Sequence, residues 1–309
     1  MRLGVLDVGS NTVHLVAVNA TNGGRPTPMS DWKTPLRLVE QLDKDGNIHA
    51  KGVKKLVSAV GEAAELGNKL DCDEFIAFAT SAVRSAPNSD EVLGTVEKET
   101  GVRLEVLSGE EEAQLTFLAV RRWYGWSAGR ITNIDIGGGS LELSTGSDEH
   151  PEMAFSLDLG AGRLTHNWFD TDPPAKKHVQ ALRDYIDAEL EGPASQMRNL
   201  GPVRLAVGTS KTLRSLSRLT GSAPSSAGPF VQRTLTAAGL RQLINFISRM
   251  TAADRADLEG VSSDRSHQIV AGALVAEASM RALGLDKLEI CPWALREGVI
   301  LQRTDKGLD

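Results

Sequence analysis

Short apolar runs alternate with longer segments of helical period through the first part of the chain. Leu3–Leu6, Val13–Val18 and Lys33–Val39 predict strands, and turn residues separate them. The spacing of apolar residues then predicts helices over Lys51–Leu70, Ser89–Thr100 and about Glu110–Trp123, and strands over Glu74–Ala79 and Leu104–Leu107.

The pattern restarts after a break at Gly125–Gly129. Arg130–Ile136 predicts a strand that ends in a glycine run, and the strand Leu141–Thr145 follows it. Ser222–Pro229, which is rich in Ser, Pro and Gly, predicts an exposed loop. The remaining pattern predicts helices over Lys176–Leu190, Lys211–Leu219, Ala237–Met250, Gln268–Leu283 and from Leu295, and strands over Val203–Val207 and Leu288–Ile290.

A polar loop follows the first strand of each half. The first is Asp7-Val8-Gly9-Ser10-Asn11-Thr12, and the second is Asp135-Ile136-Gly137-Gly138-Gly139-Ser140. Because a strand–loop–strand unit occurs at equivalent places in two consecutive α/β halves, we predict duplicated domains over residues 1–126 and 127–309. The two loops are expected to face each other across a cleft.

Composition limits the classes of partner. The chain has 309 residues, which favours two domains, and no apolar run approaches the roughly 18 residues of a membrane helix. Because Gly4 and Asp7 interrupt the N-terminus too early for a signal peptide, we expect a cytoplasmic protein. The net charge of −6 argues against extended binding to nucleic acid, which usually needs a basic excess. Neither nucleic acid nor membrane is expected as a partner.

Neither the cysteines nor the histidines show a metal-ligand spacing. Cys72 and Cys291 lie far apart and are interpreted as small buried residues. The six histidines are not paired either, so a zinc or iron site is not expected. A polyanionic substrate would have to be held by backbone amides, a metal ion and a few cationic side chains.

The two loops differ in how specific they are. In Asp7–Thr12 a glycine permits a tight turn whose N–H groups could bind an oxyanion, but an ordinary hairpin turn explains this loop equally well. In Asp135–Ser140 three consecutive glycines are entropically costly, which favours close approach of phosphate oxygens. Asp135 and Glu142 flank this loop and suit Mg²⁺. A flexible turn with two solvated acids is the weaker alternative.

Other candidates lie at junctions between strands and helices. Arg84 follows a strand and could grip a phosphate, although a surface arginine is the commoner explanation. One acid of Glu110–Glu112 could act as a general base, although acids are also favoured in any first helical turn. The junction Val207–Lys211 could be an anion site or an ordinary N-cap. The candidate phosphate-binding residues are Gly9, Ser10, Asn11, Thr12, Arg84, Gly137, Gly138, Gly139, Ser140, Thr209, Ser210 and Lys211.

Together with Arg296-Glu297-Gly298, these motifs resemble the exopolyphosphatase and guanosine pentaphosphate phosphohydrolase (Ppx/GppA) family across nearly the whole chain. Phe117–Arg130 and Ala271–Leu283 are most similar to short actinobacterial members. The resemblance implies two ribonuclease-H-like domains of the actin-like ATPase fold around a cleft, and a homodimer. It implies that Glu112 activates water and that Arg84 clamps a phosphate. It also implies that Asp135 and Glu142 bind Mg²⁺, with a monovalent cation as a further candidate cofactor.

The resemblance predicts hydrolysis of terminal phosphoanhydride bonds of inorganic polyphosphate, with release of orthophosphate. Larger members carry additional C-terminal helical domains, including an HD-type domain, that are not expected here, so shorter chains are the expected substrate. The alternatives are hydrolysis of guanosine pentaphosphate (pppGpp), an ATP-dependent kinase on the same fold, and a noncatalytic sensor of polyphosphate or an alarmone.

Overall fold

The computed structural model describes residues 1–21 and 23–307, which form two compact units. The first unit contains Met1–Leu115 and the segment from Leu295, and the second contains Thr116–Ala294. The division into duplicated domains over residues 1–126 and 127–309 stays a prediction. In the part of the chain that is described, no helix is both long and apolar enough to cross a membrane.

The first unit is built on a five-stranded sheet with the order β3-β2-β1-β4-β5. Strand β1 is largely buried, and it pairs antiparallel with β2 and parallel with β4. Its elements are β1 Arg2–Val8, β2 Thr12–Asn19, β3 Pro28–Pro35, α1 Ala50–Lys69, β4 Glu74–Ala79, α2 Ser81–Arg84, α3 Ser89–Thr100, β5 Glu105–Val106 and the start of α4 Gly109–Tyr124, which continues into the second unit.

The second unit is built on a six-stranded sheet with the order β10-β11-β9-β6-β7-β8. Strand β6 pairs antiparallel with β7 and parallel with β9. Its elements are β6 Ile131–Ile136, β7 Leu141–Gly146, β8 Met153–Leu157, α5 Ala161–Trp168, α6 Lys176–Asn199, β9 Leu205–Thr209, α7 Ser210–Leu219, β10 Thr234–Thr236, α8 Ala237–Ile247, α9 Ala252–Ala256, α10 Ile269–Leu283 and β11 Lys287–Ile290.

Several predicted boundaries are wrong. The strand predicted over Lys33–Val39 ends at Pro35, and a short 3-10 helix follows at Leu38–Gln41. The strand ends at Pro35 because the amides of residues 36–38 donate hydrogen bonds to carbonyl oxygens of the first polar loop instead of to a neighbouring strand. Strand β8 and helix α5 were not predicted, and α6 continues through Pro193 to Asn199. All five residues of β8 are only partly buried.

The last helix, α11 Leu295–Asp305, packs closely against α4 within the first unit. The structure leaves no room for a side chain at Gly298, because a Cβ atom there would lie 2.0 Å from the carbonyl oxygen of Leu115. The glycine therefore permits the backbones of the two helices to meet, and it fixes the position of the neighbouring Arg296 and Glu297.

We predict that Gly298→Ala lowers the free energy of unfolding by about 1–3 kcal/mol, the usual cost of overpacking, although alanine is the better helix former. Gly94→Ala is the control, because Gly94 lies in α3 of the same unit and nothing lies within 4 Å of its Cβ position. That variant should be more stable by about 0.5–1 kcal/mol. Urea unfolding of both variants measures the difference, and equal stabilities would contradict the packing described.

Candidate functional site

The first polar loop joins β1 to β2 in the first unit. The N–H of Gly9 donates to the carbonyl oxygen of Thr12 at 3.0 Å. The carbonyl oxygens of Ser10 and Asn11 accept from the amides of Leu38 and Leu36, both at 2.8 Å. Among the described residues, no backbone hydrogen bond uses the N–H of Ser10 or Asn11. The loop is therefore anchored through its carbonyl groups, and its amides can bind an anion.

The second loop joins β6 to β7 and repeats this arrangement. The N–H of Gly137 donates to the carbonyl oxygen of Ser140 at 2.9 Å. The carbonyl oxygens of Gly137 and Gly138 accept from the amides of Ala161 and Arg163 in the first turn of α5, at 3.0 and 2.9 Å. Within the described chain the N–H groups of Gly138 and Gly139 take part in no backbone hydrogen bond. The glycine run therefore presents the same kind of amide surface as the first loop.

Gly160 sits directly behind the second loop. A Cβ atom at this position would lie 2.2 Å from the carbonyl carbon of Gly139 and 2.3 Å from the amide nitrogen of Ser140. The Arg163 guanidinium also donates from Nε to the Gly139 carbonyl oxygen at 2.8 Å. The loop thus packs tightly against residues 160–163, and this packing requires a glycine at residue 160.

Asp135 and Glu142 lie directly opposite each other on the antiparallel strands β6 and β7. In such a pair the Cβ atoms are about 4.5–5.5 Å apart, and both side chains project from the same face of the sheet. Burial raises the pKa of Asp135, whereas the hydrogen bond from Thr209 and the charge of Arg214 oppose that rise. The Thr209 hydroxyl donates to Asp135 Oδ2 at 2.5 Å, and the Ser156 hydroxyl donates to Glu142 at 3.0 Å.

The carboxylates of Asp135 and Glu142 suit a magnesium ion better than a metal ion whose ligands all come from the protein. No group of three or more His, Cys, Asp or Glu side chains in the described chain could hold a metal ion. Mg²⁺ commonly uses one or two carboxylates and completes its octahedron with water and phosphate oxygens. The paired acids beside the glycine loop match that requirement, so Asp135 and Glu142 are the residues that would hold the ion.

Arg84 and Glu112 form an ion pair inside the first unit. Arg84 also donates to the carbonyl oxygen of Leu107 at 2.6 Å, which fixes its guanidinium. Glu112 is 6% exposed, whereas Glu110 and Glu111 are exposed, and Glu111 caps α4 by accepting from the Ser108 amide at 2.8 Å. The structure therefore singles out Glu112 as the one acid of this cluster in a buried, cation-paired environment.

A second charged group in the first unit was not predicted as part of the site. Arg296 approaches Asp7 Oδ2 at 3.4 Å and also contacts the Nδ1 atom of His14, whose Nε2 lies 2.9 Å from Asp31. Burial and the charge of Arg296 lower the pKa of His14 to about 4, so this imidazole is neutral at neutral pH. His14 lies opposite Asp7 in the β1–β2 pair, as Glu142 lies opposite Asp135 in the β6–β7 pair. Both pairs are seven residues apart in the sequence, and this equal spacing could have identified His14 as part of the site.

The other residues predicted to bind phosphate differ in burial and in the element on which they lie. Thr209 is fully buried and bonds Asp135, whereas Lys211 is exposed on the first turn of α7. Ser210 begins that helix with a left-handed backbone, φ 77°, and its hydroxyl accepts from the Leu213 amide at 3.4 Å. In the first unit the hydroxyls of Ser10 and Ser81 lie 3.2 Å apart. Each unit therefore groups one loop with polar residues from the end of the neighbouring parallel strand.

Comparison with known proteins shows the family and the fold of this chain. Residues 16–306 match the model of the Ppx/GppA phosphatase family. The chain is 64% identical over 309 residues to "Exopolyphosphatase 1" of Mycobacterium tuberculosis, and the match covers all of this chain and 90% of that protein.

Two solved structures share the fold. The exopolyphosphatase from Cytophaga hutchinsonii superposes with a TM-score of 0.89 at 22% identity and covers 99% of this chain and 98% of its own. The Aquifex aeolicus Ppx/GppA family member superposes with a TM-score of 0.81 at 24% identity, and the match covers 100% of this chain and 99% of that one. The predicted α/β class and actin-like ATPase fold are thereby confirmed. The chain belongs to the Ppx/GppA phosphatase family.

Proposed function

We propose that this protein is an exopolyphosphatase, which hydrolyses the terminal phosphoanhydride bond of inorganic polyphosphate and releases orthophosphate. The observation that carries the proposal is the geometry of the second loop. Its carbonyl groups accept hydrogen bonds from the start of α5, and its amides remain available beside Asp135 and Glu142, which lie opposite each other. The substrate is supported by the 64% identity to a relative named exopolyphosphatase.

Glu112 and Arg84 supply the chemistry of the first unit. Glu112 is a buried carboxylate held by a guanidinium, and it would orient a water molecule and accept its proton as the water oxygen bonds to the terminal phosphorus. The bond from that phosphorus to the bridging oxygen breaks, and the shortened chain leaves with the oxygen. Arg84 would offset charge that develops on the phosphoryl oxygens.

The two loops supply phosphate-binding groups within their own units. In the proposed assignment the amides of Ser10 and Asn11 and those of Gly138 and Gly139 contact phosphate oxygens. Mg²⁺, when bound, would neutralise phosphate charge. Asp135 and Glu142 would hold the ion, and Thr209 would orient Asp135 through its hydroxyl.

Four finer points belong to the same proposal. The protein is proposed to act in the cytoplasm as a homodimer and to prefer shorter chains, and Mg²⁺ is proposed as its divalent ion. Hydrolysis of pppGpp uses the same bond chemistry, so a phosphate-release assay with polyphosphate and pppGpp side by side decides the substrate. Transfer of phosphate from ATP to a sugar would instead indicate a kinase, and tight binding without turnover would indicate a sensor.

Replacing Glu112 should remove the base and leave the fold intact. We predict that Glu112→Gln lowers the rate of phosphate release from polyphosphate by about 10²–10⁴-fold, the usual contribution of a positioned base. Glu110→Gln is the matched control, because Glu110 lies on the same helix but is exposed. Circular dichroism checks that both variants fold, and near-normal turnover by folded Glu112→Gln would refute its role.

Removing the Thr209 hydroxyl should weaken metal binding through Asp135. We predict that Thr209→Val raises the Mg²⁺ concentration for half-maximal phosphate release by about 10–100-fold, as is typical when a group that orients a metal ligand is lost. Thr132→Val is the control, because Thr132 is buried on β6 and its hydroxyl pairs with Thr145, 2.9 Å away. If both variants respond to Mg²⁺ like the wild type, Thr209 does not orient a magnesium ligand through its hydroxyl.

A further inference from the structure

A cavity of about 320 Å³ lies within the second unit, beside helix α7. Its volume is in the range of small-molecule sites. Its wall contains four cationic side chains and one acidic one, a formal charge of +3 in a protein whose net charge is −6. Such a local excess of positive charge is expected to attract anions. The charged residues of the wall are Lys211, Arg214, Arg218, Arg233 and Glu259.

We propose that this cavity is the subsite for the part of the substrate that leaves, the phosphoryl groups beyond the bond that is cleaved. The inference rests on the proposed function and extends it to chain length. If the cavity binds those groups, the enzyme distinguishes longer chains from the shortest ones by contacts made in this unit alone.

The cations are arranged along one face of α7. Lys211, Arg214 and Arg218 are three and then four residues apart, a spacing that places side chains on the same side of a helix. From Lys211 to Arg218 the helix rises by about 10 Å, at roughly 1.5 Å per residue. The cavity wall therefore carries a row of positive charges, which suits a linear polyanion better than a single phosphate ion.

The row begins next to the second phosphate loop. Thr209, two residues before Lys211, donates its hydroxyl to Asp135. Arg214 lies about one helical turn further along α7 and lines the cavity. A chain whose end phosphoryl lies at the glycine loop could thus extend past Arg214 without leaving the second unit.

Two of the four cations hold the wall together. Arg218 pairs with Glu259 and donates to the carbonyl oxygen of Ser222 at 2.8 Å. Arg233 donates to carbonyl oxygens of residues 223, 224, 228 and 231, which lie in the loop that forms one side of the cavity. Arg214 also donates to the carbonyl oxygen of Pro292 at 3.4 Å. We assign contact with the leaving chain to Lys211 and Arg214 because they are the two cations of the row that lie closest to Thr209 along α7.

The wall favours a phosphate chain over a nucleoside. None of the residues described as lining the cavity is aromatic, so no ring is available to stack on a base. The apolar part of the wall is formed by Ile290, small residues and prolines, together with the aliphatic stems of the long cationic side chains. Guanidinium and ammonium groups are the natural partners of phosphate oxygens.

The test measures binding and turnover with tripolyphosphate and with longer polyphosphate of defined length, in the presence of Mg²⁺. We expect Arg214→Gln and Lys211→Gln each to weaken binding of the longer chain by about tenfold or more, since each loses a charge-assisted contact. The loss should be smaller with tripolyphosphate. Arg241→Gln is the matched control, because Arg241 is exposed on α8 of the same unit and does not line the cavity.

The outcomes separate this inference from the proposed function. Equal losses for both chain lengths, or unchanged affinity for the longer chain in folded variants, would overturn the leaving-chain subsite even if the wild type releases phosphate. A larger loss for pppGpp than for the longer polyphosphate would reassign the cavity to a nucleotide. Absence of phosphate release by the wild type would refute the proposed activity, and the binding ratios would still decide what the cavity holds.

Discussion

The contact between Gly160 and the Gly137–Ser140 loop is the constraint on which the second phosphate loop depends. A single methyl group at residue 160 would overlap the loop backbone. Because the two segments meet without side chains, the amides at the start of α5 can bond the loop carbonyls. The loop amides are then free to bind an anion, and the loop enters β7 at the register that places Glu142 opposite Asp135. The proposed phosphate-binding and metal-binding groups of the second unit thus both depend on one close packing of backbone.

The first unit uses the same strand–loop–strand device with different charges. Asp7 is already paired with Arg296, and the imidazole opposite it is neutral because burial and that arginine lower its pKa. Gly298 allows the helix that carries Arg296 to pack against α4, the helix that also carries Glu112. The first loop therefore offers amide groups that suit an anion, whereas the two acids that suit a divalent cation lie in the second unit. The two loops thus share a backbone arrangement but differ in the charged groups beside them.

The sequence predicted most of what depends on local pattern. Strand β4 and helix α3 have the predicted bounds, and the spacing of Asp135 and Glu142 around a tight loop is enough to make them partners. Contacts between distant segments could not be predicted in the same way. Arg84 meets Glu112 across 28 positions and Arg296 meets Asp7 across 289, and no periodicity encodes such distances. The cavity along α7 was not predicted, because its wall combines that helix with the distant segments 223–233, 259–260 and 290–292.

The central claim is that water cleaves polyphosphate from its end. The most direct measurement is phosphorus NMR of the purified protein acting on long polyphosphate with Mg²⁺ in water enriched in ¹⁸O. End cleavage by water predicts that orthophosphate accumulates from the start of the reaction and carries a single new ¹⁸O atom, while the remaining chains shorten slowly. Chains of intermediate length that appear before orthophosphate, or orthophosphate without ¹⁸O from the solvent, would contradict it.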